Sequence, residues 1–171
     1  STFDKALQDG VLEPANVTLS GASFSGNVDA AIAASTAVKG GEFEVVLYQS
    51  VAIGYGGPWS NNPWLLELPD PVTKATWDNY VCMSYKTAKE KFNAELTLQN
   101  QVDPKKRVVK VTVNGKEVEL AIVVLPGMHN DVIAIAVGYG RSEGVGKAAA
   151  NLGKNVYPFV SFNGATFNYS A

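Results

Sequence analysis

Apolar and polar residues alternate most regularly between residues 108 and 122. Two alternating runs, 108–113 and 117–122, flank Asn114-Gly115. Asn-Gly is the pair best suited to the tight turn of a two-residue hairpin, because both positions adopt positive φ readily. The pattern therefore predicts a β-hairpin, which Leu125-Pro126-Gly127 ends because proline cannot donate a backbone hydrogen bond.

Other short apolar runs predict further strands, at residues 16–19, 43–48, 81–83, 95–99, 132–137, 159–162 and 165–169. Helical patterns are short, at residues 2–11, 29–38 before the Gly40-Gly41 pair, 87–92 after a Ser84 N-cap, and 143–152. About seven or eight strands with a few helices at irregular spacing predict a mainly β fold with short helices. We expect a closed β-barrel with helical crossovers, not a regular sandwich or a parallel Rossmann sheet.

Residues 54–71 interrupt this pattern with a glycine cluster, paired asparagines, two tryptophans and four prolines. Prolines fix φ and remove backbone donors, while glycines allow conformations closed to other residues. The run is therefore predicted to be neither a regular helix nor a central strand. Loops this rich in rigid and aromatic residues are usually packed down and often line a site.

Composition excludes several classes of function. The 171 residues fit one domain, and 46% hydrophobic content supports a sizeable core. A net charge of −2 gives no basis for binding nucleic acid or an anionic membrane surface. No apolar run approaches the roughly 20 residues of a membrane span, so direct membrane insertion is not expected. With one cysteine and one histidine, this chain alone has no disulfide, iron–sulfur cluster or histidine-based metal site.

Several residues are candidates for binding a ligand. Gly56 and Gly57 follow a strand and could present backbone amides to a phosphate, although no helix follows them. Asn61 and Asn62 offer amide donors and acceptors, and Arg141 offers a cation. The structural alternatives are tight turns at the glycines, turn formation by the asparagines, and a surface salt bridge for Arg141.

The remaining chemistry-bearing residues favour structural roles. Cys82 lies in an apolar strand, where a thiol is usually inert, and His129 is expected to be exposed or to cap a turn. No pair of carboxylates has the spacing of a catalytic site, so the chain is not expected to be catalytic alone. The tryptophans are expected to be core or interface anchors: Trp59, Trp64 and Trp77.

A resemblance adds to this interpretation. Residues 61–71, Asn-Asn-Pro-Trp-Leu-Leu-Glu-Leu-Pro-Asp-Pro, are followed by Trp77-Asp78-Asn79. Together they resemble the molybdopterin-oxidoreductase-like iron–sulfur subunit (B subunit) of bacterial alternative complex III, a quinol:electron-acceptor oxidoreductase of the respiratory chain. Shorter matches follow in order along the chain: Asp9-Gly10-Val11, Phe43-Glu44, Leu47-Tyr48, Met83-Ser84, Ala88-Lys89, Asn114-Gly115-Lys116, Pro126-Gly127, residues 136–141 (Ala-Val-Gly-Tyr-Gly-Arg) and residues 153–158 (Gly-Lys-Asn-Val-Tyr-Pro).

The resemblance implies a fold and a cofactor. The corresponding domain is a double-psi β-barrel of the aspartate-decarboxylase-like, molybdopterin-dinucleotide-binding type, which grips molybdopterin guanine dinucleotide. Gly153 and Asn155 resemble a glycine and an asparagine of its pterin-approaching loop, although here they stand one residue closer together. Tyr157 stands where an apolar residue is usual, and residues 100–106 replace a Gly-Asp pair. The subunit that the chain resembles keeps this fold without a molybdenum cofactor.

From the resemblance we expect a fragment of a larger chain, with residues 1–40 leading in from a preceding domain and 41–171 forming the barrel. Its role would be scaffolding for electron transfer, beside the remaining domains of its parent and other subunits of a membrane respiratory complex. The parent would be peripheral, on the periplasmic side of the bacterial inner membrane. An active molybdopterin guanine dinucleotide-binding domain and a free-standing small-ligand or interaction barrel are the alternatives. The fragment interpretation predicts a large exposed apolar face, where missing domains dock.

Overall fold

Residues 2–12, 21, 23, 25–36, 41–94, 108–162 and 167–171 are described by a computed structural model. By their contacts, the residues of the chain divide into two compact units, Ser1–Ala37 and Val38–Ala171. The described part of the first unit contains helices α1 (Thr2–Asp9) and α2 (Val28–Thr36). Both helices agree with the sequence pattern. The predicted strand at 16–19 and the residues just after α2 lie outside the described ranges.

The described part of the second unit contains seven strands, two α-helices and three short 3-10 turns. The strands are β1 (Glu44–Gln49), β2 (Val81–Met83), β3 (Val108–Val113), β4 (Lys116–Val124), β5 (Val132–Val137), β6 (Ser161–Phe162) and β7 (Phe167–Asn168). The helices are α3 (Pro63–Glu67) and α4 (Tyr85–Phe92), and the 3-10 turns are Gly57–Trp59, Glu143–Val145 and Tyr157–Phe159. The predicted strand at 95–99 lies outside the described residues.

Five strands form one mixed sheet in the order β1-β5-β2-β4-β3. β1 runs parallel to β5 and β2 parallel to β4, while the β2–β5 and β3–β4 pairs are antiparallel. At the outer edge of β1, the Val45 amide donates to the Ala171 carbonyl over 2.7 Å, so the last residues add a short antiparallel segment. The fold is therefore mixed α/β with a five-stranded mixed sheet. No closed barrel is found among the described residues.

The predicted hairpin and its neighbours are confirmed. Asn114 and Gly115 join β3 to β4 with φ values of 50° and 77°, the conformation that the Asn-Gly turn requires. β2 is buried along its whole length, and β5 is buried at most positions, which explains their continuous apolar sequences. Alternate side chains of the two strands lie in the core with Val45, Leu47 and Phe159; these are Val81, Met83, Ile133, Ile135 and Val137.

Two sequence predictions differ from the structure. Helix α3 forms inside the run expected to be irregular, because the Asn62 side chain accepts a hydrogen bond from the Trp64 amide and Pro63 occupies a first-turn position. The helix predicted at 143–152 is reduced to the 3-10 turn at Glu143–Val145. Gly146 has a φ of 133°, which a helix cannot contain.

The three tryptophans predicted to be core or interface anchors differ in exposure. The Trp59 and Trp64 side chains are 62% and 81% exposed, so neither is a core residue, while Trp77 is half-buried. His129 is exposed, and its Nδ1 accepts a hydrogen bond from the Asp131 amide over 3.2 Å, which is a local cap. None of the helices within the described ranges has the length and apolar character of a membrane span.

Candidate functional site

The carboxyl ends of β1 and β5 meet at one edge of the sheet. Because the two strands are parallel and Gln49 lies beside Val137, the segments that follow them leave the sheet together. The antiparallel strand β2 begins at this edge, since Val81 pairs with Ile135. Ligand sites of open sheets commonly lie where such ends converge. The structure therefore places the loop after β1 beside the loop after β5, which is where most of the candidate residues lie.

Three segments pack together at this edge, residues 50–62, 138–141 and 146–155, which we call the joined loops. Gly56 and Gly138 lie at the first contact, both buried and both with a φ of 96°. A β-carbon on Gly138 would lie 2.8 Å from the Gly56 nitrogen, so the two backbones approach as closely as glycine allows. A β-carbon on Gly56 would overlap the Arg141 guanidinium. The side chain of Arg141 therefore covers Gly56, while its Nε donates to the Gly138 carbonyl over 3.3 Å.

The second contact joins Gly140 to the segment around Asn155. A β-carbon on Gly140 would overlap the Asn155 backbone nitrogen and lie 2.5 Å from the Lys154 carbonyl carbon. The Gly140 amide donates to the Leu152 carbonyl over 2.7 Å. Asn155 does not direct its side-chain oxygen at another loop. It accepts from the Tyr157 amide over 3.0 Å and so begins the 3-10 turn there.

The third contact depends on Asn61. Its Oδ1 accepts hydrogen bonds from the amides of Ala148 and Ala149, over 3.0 and 3.1 Å. Gly146 packs against the same Asn61 side chain, so closely that a β-carbon at Gly146 would overlap it. One asparagine therefore ties the first joined loop to the third.

Sequence reasoning missed Asn79, the residue that anchors the third loop to the sheet. Its side chain is 1% exposed, and Nδ2 donates to the carbonyls of Ala136 and Lys154, each over 2.9 Å. Its Oδ1 accepts from the Lys154 amide over 2.8 Å and would lie 2.5 Å from a β-carbon on Gly153. Its position two residues before the buried strand β2 is the signal that could have identified it.

The seven predicted site residues thus have distinct places. Gly56, Asn61, Arg141, Gly153 and Asn155 are brought into one group of packed loops, whereas Asn62 caps its own helix. Gly57 is exposed, and nothing lies within 4 Å of the position that its β-carbon would take. Of the seven, only Arg141 carries a charge, and within the described residues it makes no ion pair with a carboxylate.

The joined loops do not fit the open cradle that a pterin dinucleotide requires. In such a cradle glycines leave room for the ligand, but here protein atoms occupy the space beside Gly56, Gly138, Gly140, Gly146 and Gly153. The side-chain oxygens of the asparagines are also directed at backbone amides of the protein itself. Among the described residues, no hydrogen bond is found for the Gly57 amide, the two terminal guanidinium nitrogens of Arg141 or the side-chain nitrogens of Asn61 and Asn155.

Two tyrosines beside the loops are buried enough to affect their titration. Burial raises the pKa of Tyr139, with a smaller opposing effect from a hydrogen bond to Ser50. Burial also raises the pKa of Tyr157, whose hydroxyl donates to the Tyr55 carbonyl over 2.6 Å. Both phenols are therefore neutral hydrogen-bonding groups near pH 7 and add no negative charge beside Arg141.

Metal-ligating side chains and the single cysteine are the groups that bear on metal and redox chemistry. No group of three or more His, Cys, Asp or Glu side chains able to hold a metal is found in the part of the chain that the structure describes. Cys82 is 3% exposed, and burial raises the pKa of its thiol to about 11, so it is protonated at neutral pH. No family model matches the chain and no curated protein matches it, so its function is inferred from its motifs and from the joined loops.

Proposed function

We propose that the chain is a cofactor-binding-type domain that has become a scaffold. Its parent would be a molybdopterin-oxidoreductase-like subunit of a membrane-associated quinol:electron-acceptor oxidoreductase. Electrons would pass through iron–sulfur clusters elsewhere in that subunit, and this domain would hold neighbouring domains in place. The parent would lie on the periplasmic face of the bacterial inner membrane as a peripheral subunit.

The observation that carries this proposal is the packing of the joined loops. A region that grips a dinucleotide in active relatives of this fold would need open space at its glycines. Here, instead, Gly56, Gly138 and Gly140 allow one protein segment to approach another. The backbone amides tied by Asn61 and Asn79 are satisfied within the protein. Such loops suit a rigid structural element.

The strand order supports the proposed double-psi barrel. Two parallel pairs, β1–β5 and β2–β4, lie on either side of a central antiparallel pair. Parallel pairing requires crossover connections, which a meander or simple hairpin stack lacks. The residues after β7 also pair with the outer edge of β1, as a sixth segment. In this proposal, the barrel closes through additional residues of the chain or its parent.

Exposed aromatic side chains support the proposed partners. Trp59, Trp64 and Val51 are between 62% and 81% exposed and all lie in or beside the first joined loop and α3. Large exposed apolar side chains are typical of interfaces, where tryptophan often contributes most to affinity. Docking of the remaining domains or of another subunit would cover them.

The interface test uses Trp64→Ala in the intact parent, expressed from its natural locus with an affinity tag. Because Trp64 is 81% exposed, the change is expected to alter the unfolding free energy of the 171-residue chain by less than about 0.5 kcal/mol. We expect it to lower the recovery of membrane partner subunits about tenfold, the effect of losing one interface anchor. Tyr85→Ala, at an exposed aromatic residue outside this group, is the control.

Recovery of the unmodified protein as an 18.1 kDa monomer without partners would overturn the scaffold proposal and favour a free-standing ligand or interaction barrel. Equal recovery of partners by wild-type and Trp64→Ala protein would remove this surface from the proposal.

An active molybdopterin guanine dinucleotide-binding domain is the second candidate function. The observation in its favour is a set of donors without a hydrogen-bond partner among the described residues: the Gly57 amide, the terminal guanidinium nitrogens of Arg141, and the side-chain nitrogens of Asn61 and Asn155. A guanidinium that forms no ion pair with a carboxylate suits a phosphate group. Near-stoichiometric pterin in the purified parent would favour this candidate over the scaffold.

A further inference from the structure

An open-sided cavity of about 380 Å³ lies over the face of the sheet opposite the core. Leu47, Val81 and Ile135 are core residues, so their neighbours Tyr48, Cys82 and Ala134 direct their side chains to the other face. Two loop segments form the walls of this cavity. They contribute Asp70, Val72, Thr73, Leu125, Pro126, Gly127 and Met128.

The lining is apolar apart from one oriented carboxylate. Asp70 is the one charged side chain among the described lining residues, and none of them is a lysine, arginine or histidine. Its Oδ1 accepts hydrogen bonds from the amides of Val72 and Thr73, over 2.9 and 2.8 Å, and from the Thr73 hydroxyl over 3.2 Å. These three hydrogen bonds hold the carboxylate in place through Oδ1, and no hydrogen bond among the described residues uses Oδ2.

The neighbouring acidic groups remain neutral. Burial raises the pKa of Tyr80 to about 12 and that of Cys82 to about 11, and it also raises the pKa of Tyr48. The negative charge of Asp70 adds to each of these shifts. The Tyr48 phenol, which lines the cavity, therefore supplies a hydroxyl group and aromatic surface, and the one charged lining group is the Asp70 carboxylate.

We propose that this cavity binds a small organic ammonium, a protonated amine on a compact apolar body. The amine would pair with Asp70 and with the Tyr48 hydroxyl, and the apolar body would contact Leu125, Met128 and Ala134. A carboxylate in a mostly apolar lining without a cation selects a positive ligand, because a neutral one leaves the charge uncompensated. The volume is within the range of small-molecule sites. This inference does not depend on the proposed function.

The test is an NMR titration of the ¹⁵N-labelled 171-residue chain with benzylammonium at pH 7. We expect amide shifts at Val72, Thr73, Gly127 and Met128, with a dissociation constant of about 1 mM or lower. Benzyl alcohol has the same shape without charge, and phenylacetate has the opposite charge. We expect benzyl alcohol to bind about tenfold more weakly and phenylacetate to give no shifts at these residues.

Two variants that each remove one carboxylate distinguish binding at Asp70 from an effect of the overall charge of the protein. Asp70→Asn keeps an oxygen for the turn at Val72 and Thr73 but removes the charge, and it should weaken benzylammonium binding about tenfold. Glu67→Gln removes an exposed carboxylate that does not line the cavity and should leave binding unchanged. Val72→Lys, at an exposed lining residue, places a competing ammonium at the site and should also weaken binding.

The native dispersion of the spectrum shows that each variant is folded. The proposal is overturned if benzylammonium and benzyl alcohol bind equally, or if 20-fold more ligand than the expected dissociation constant gives no shifts at these residues. Equal weakening by Asp70→Asn and Glu67→Gln would also overturn it, because the effect would then be one of overall charge.

Discussion

Asparagine side chains set the geometry of the joined loops one residue at a time. Asn61 spans two loops, Asn79 anchors one loop to the sheet, and Asn155 begins a turn within its own loop. The three differ in burial, since Asn79 is 1% exposed while the other two are exposed. Leaving a buried polar group without its hydrogen-bond partner costs more free energy than leaving an exposed one. The stability lost when an asparagine side chain is removed should therefore increase with its burial.

Asn79→Ala is expected to lower the free energy of unfolding by about 3 kcal/mol, because it leaves the Lys154 amide and the Ala136 and Lys154 carbonyls without a partner. Asn155→Ala removes one exposed hydrogen bond between a side chain and a backbone amide and should cost about 1 kcal/mol or less. Denaturant unfolding of both variants measures the difference. Similar losses for the two would contradict the anchoring role of Asn79.

Stability should fall on the alkaline side because five acidic groups have raised pKa values in the folded protein. Burial raises the pKa of Cys82 to about 11 and that of Tyr80 to about 12, and it also raises the pKa values of Tyr48, Tyr139 and Tyr157. The unfolded chain releases these protons first, from about pH 9 for the thiol and pH 10 for the phenols. Bound protons are then fewer in the unfolded state, so stability decreases as pH rises.

We therefore expect the denaturant midpoint to be unaffected by these groups between pH 7 and 8 and to fall between pH 9 and 12. Tyr80→Phe should make the decrease shallower, because it removes one of the groups. Tyrosinate absorbance measured in parallel should show phenols that ionise only on unfolding. A midpoint that rises across this range would contradict the burial of these side chains.

At the scale of elements, glycines decide how closely the loops approach. Gly140→Ala should lower the free energy of unfolding by about 3 kcal/mol, because its β-carbon would overlap backbone atoms of residues 154 and 155 and its φ is 74°. Gly57→Ala has a similar φ of 66° and open space, so it should cost only the backbone strain of about 1 kcal/mol. Thermal unfolding measures the loss of stability in each variant. Equal losses in Gly140→Ala and Gly57→Ala would contradict the close packing at Gly140.

Element prediction from the sequence succeeded where local patterns are strong. The β3–β4 hairpin follows from alternation around Asn114-Gly115, and the α4 helix from the Ser84 cap, whose side chain accepts from the Thr87 amide. It failed where contacts distant in sequence decide. The segment 143–152 cannot continue as a helix because Gly146 packs on Asn61, a residue about 85 positions earlier.

Some site residues could also be predicted from strong local patterns in the sequence. Arg141 and Gly56 were selected from glycine-rich motifs, and the parallel pairing of β1 and β5 brings them together. The sequence could not show that the asparagine oxygens would bond to the protein's own backbone. Nor could it identify Asp70 as the charge in a cavity, because the residues that surround it come from β1, β2, β5 and two loops.

In the molecule as a whole, the tightly packed joined loops lie in the same part of the chain as exposed tryptophan side chains. Protein atoms lie directly beside the glycines of the joined loops, and Trp59 and Trp64, in or beside the first of these loops, are exposed. A rigid edge that presents exposed tryptophans suits docking of another domain, because little conformational entropy is lost on binding. The central claim is therefore that this domain is structural within an electron-transfer assembly.

The most direct test is to measure molybdenum, iron and oxidised-pterin fluorescence in the full-length parent, purified with its partners from its native membrane. The account predicts stoichiometric iron, with molybdenum and pterin far below one per parent chain. Near-stoichiometric molybdenum and pterin would contradict it and make the joined loops, with Arg141 and Asn155, part of a working cofactor site.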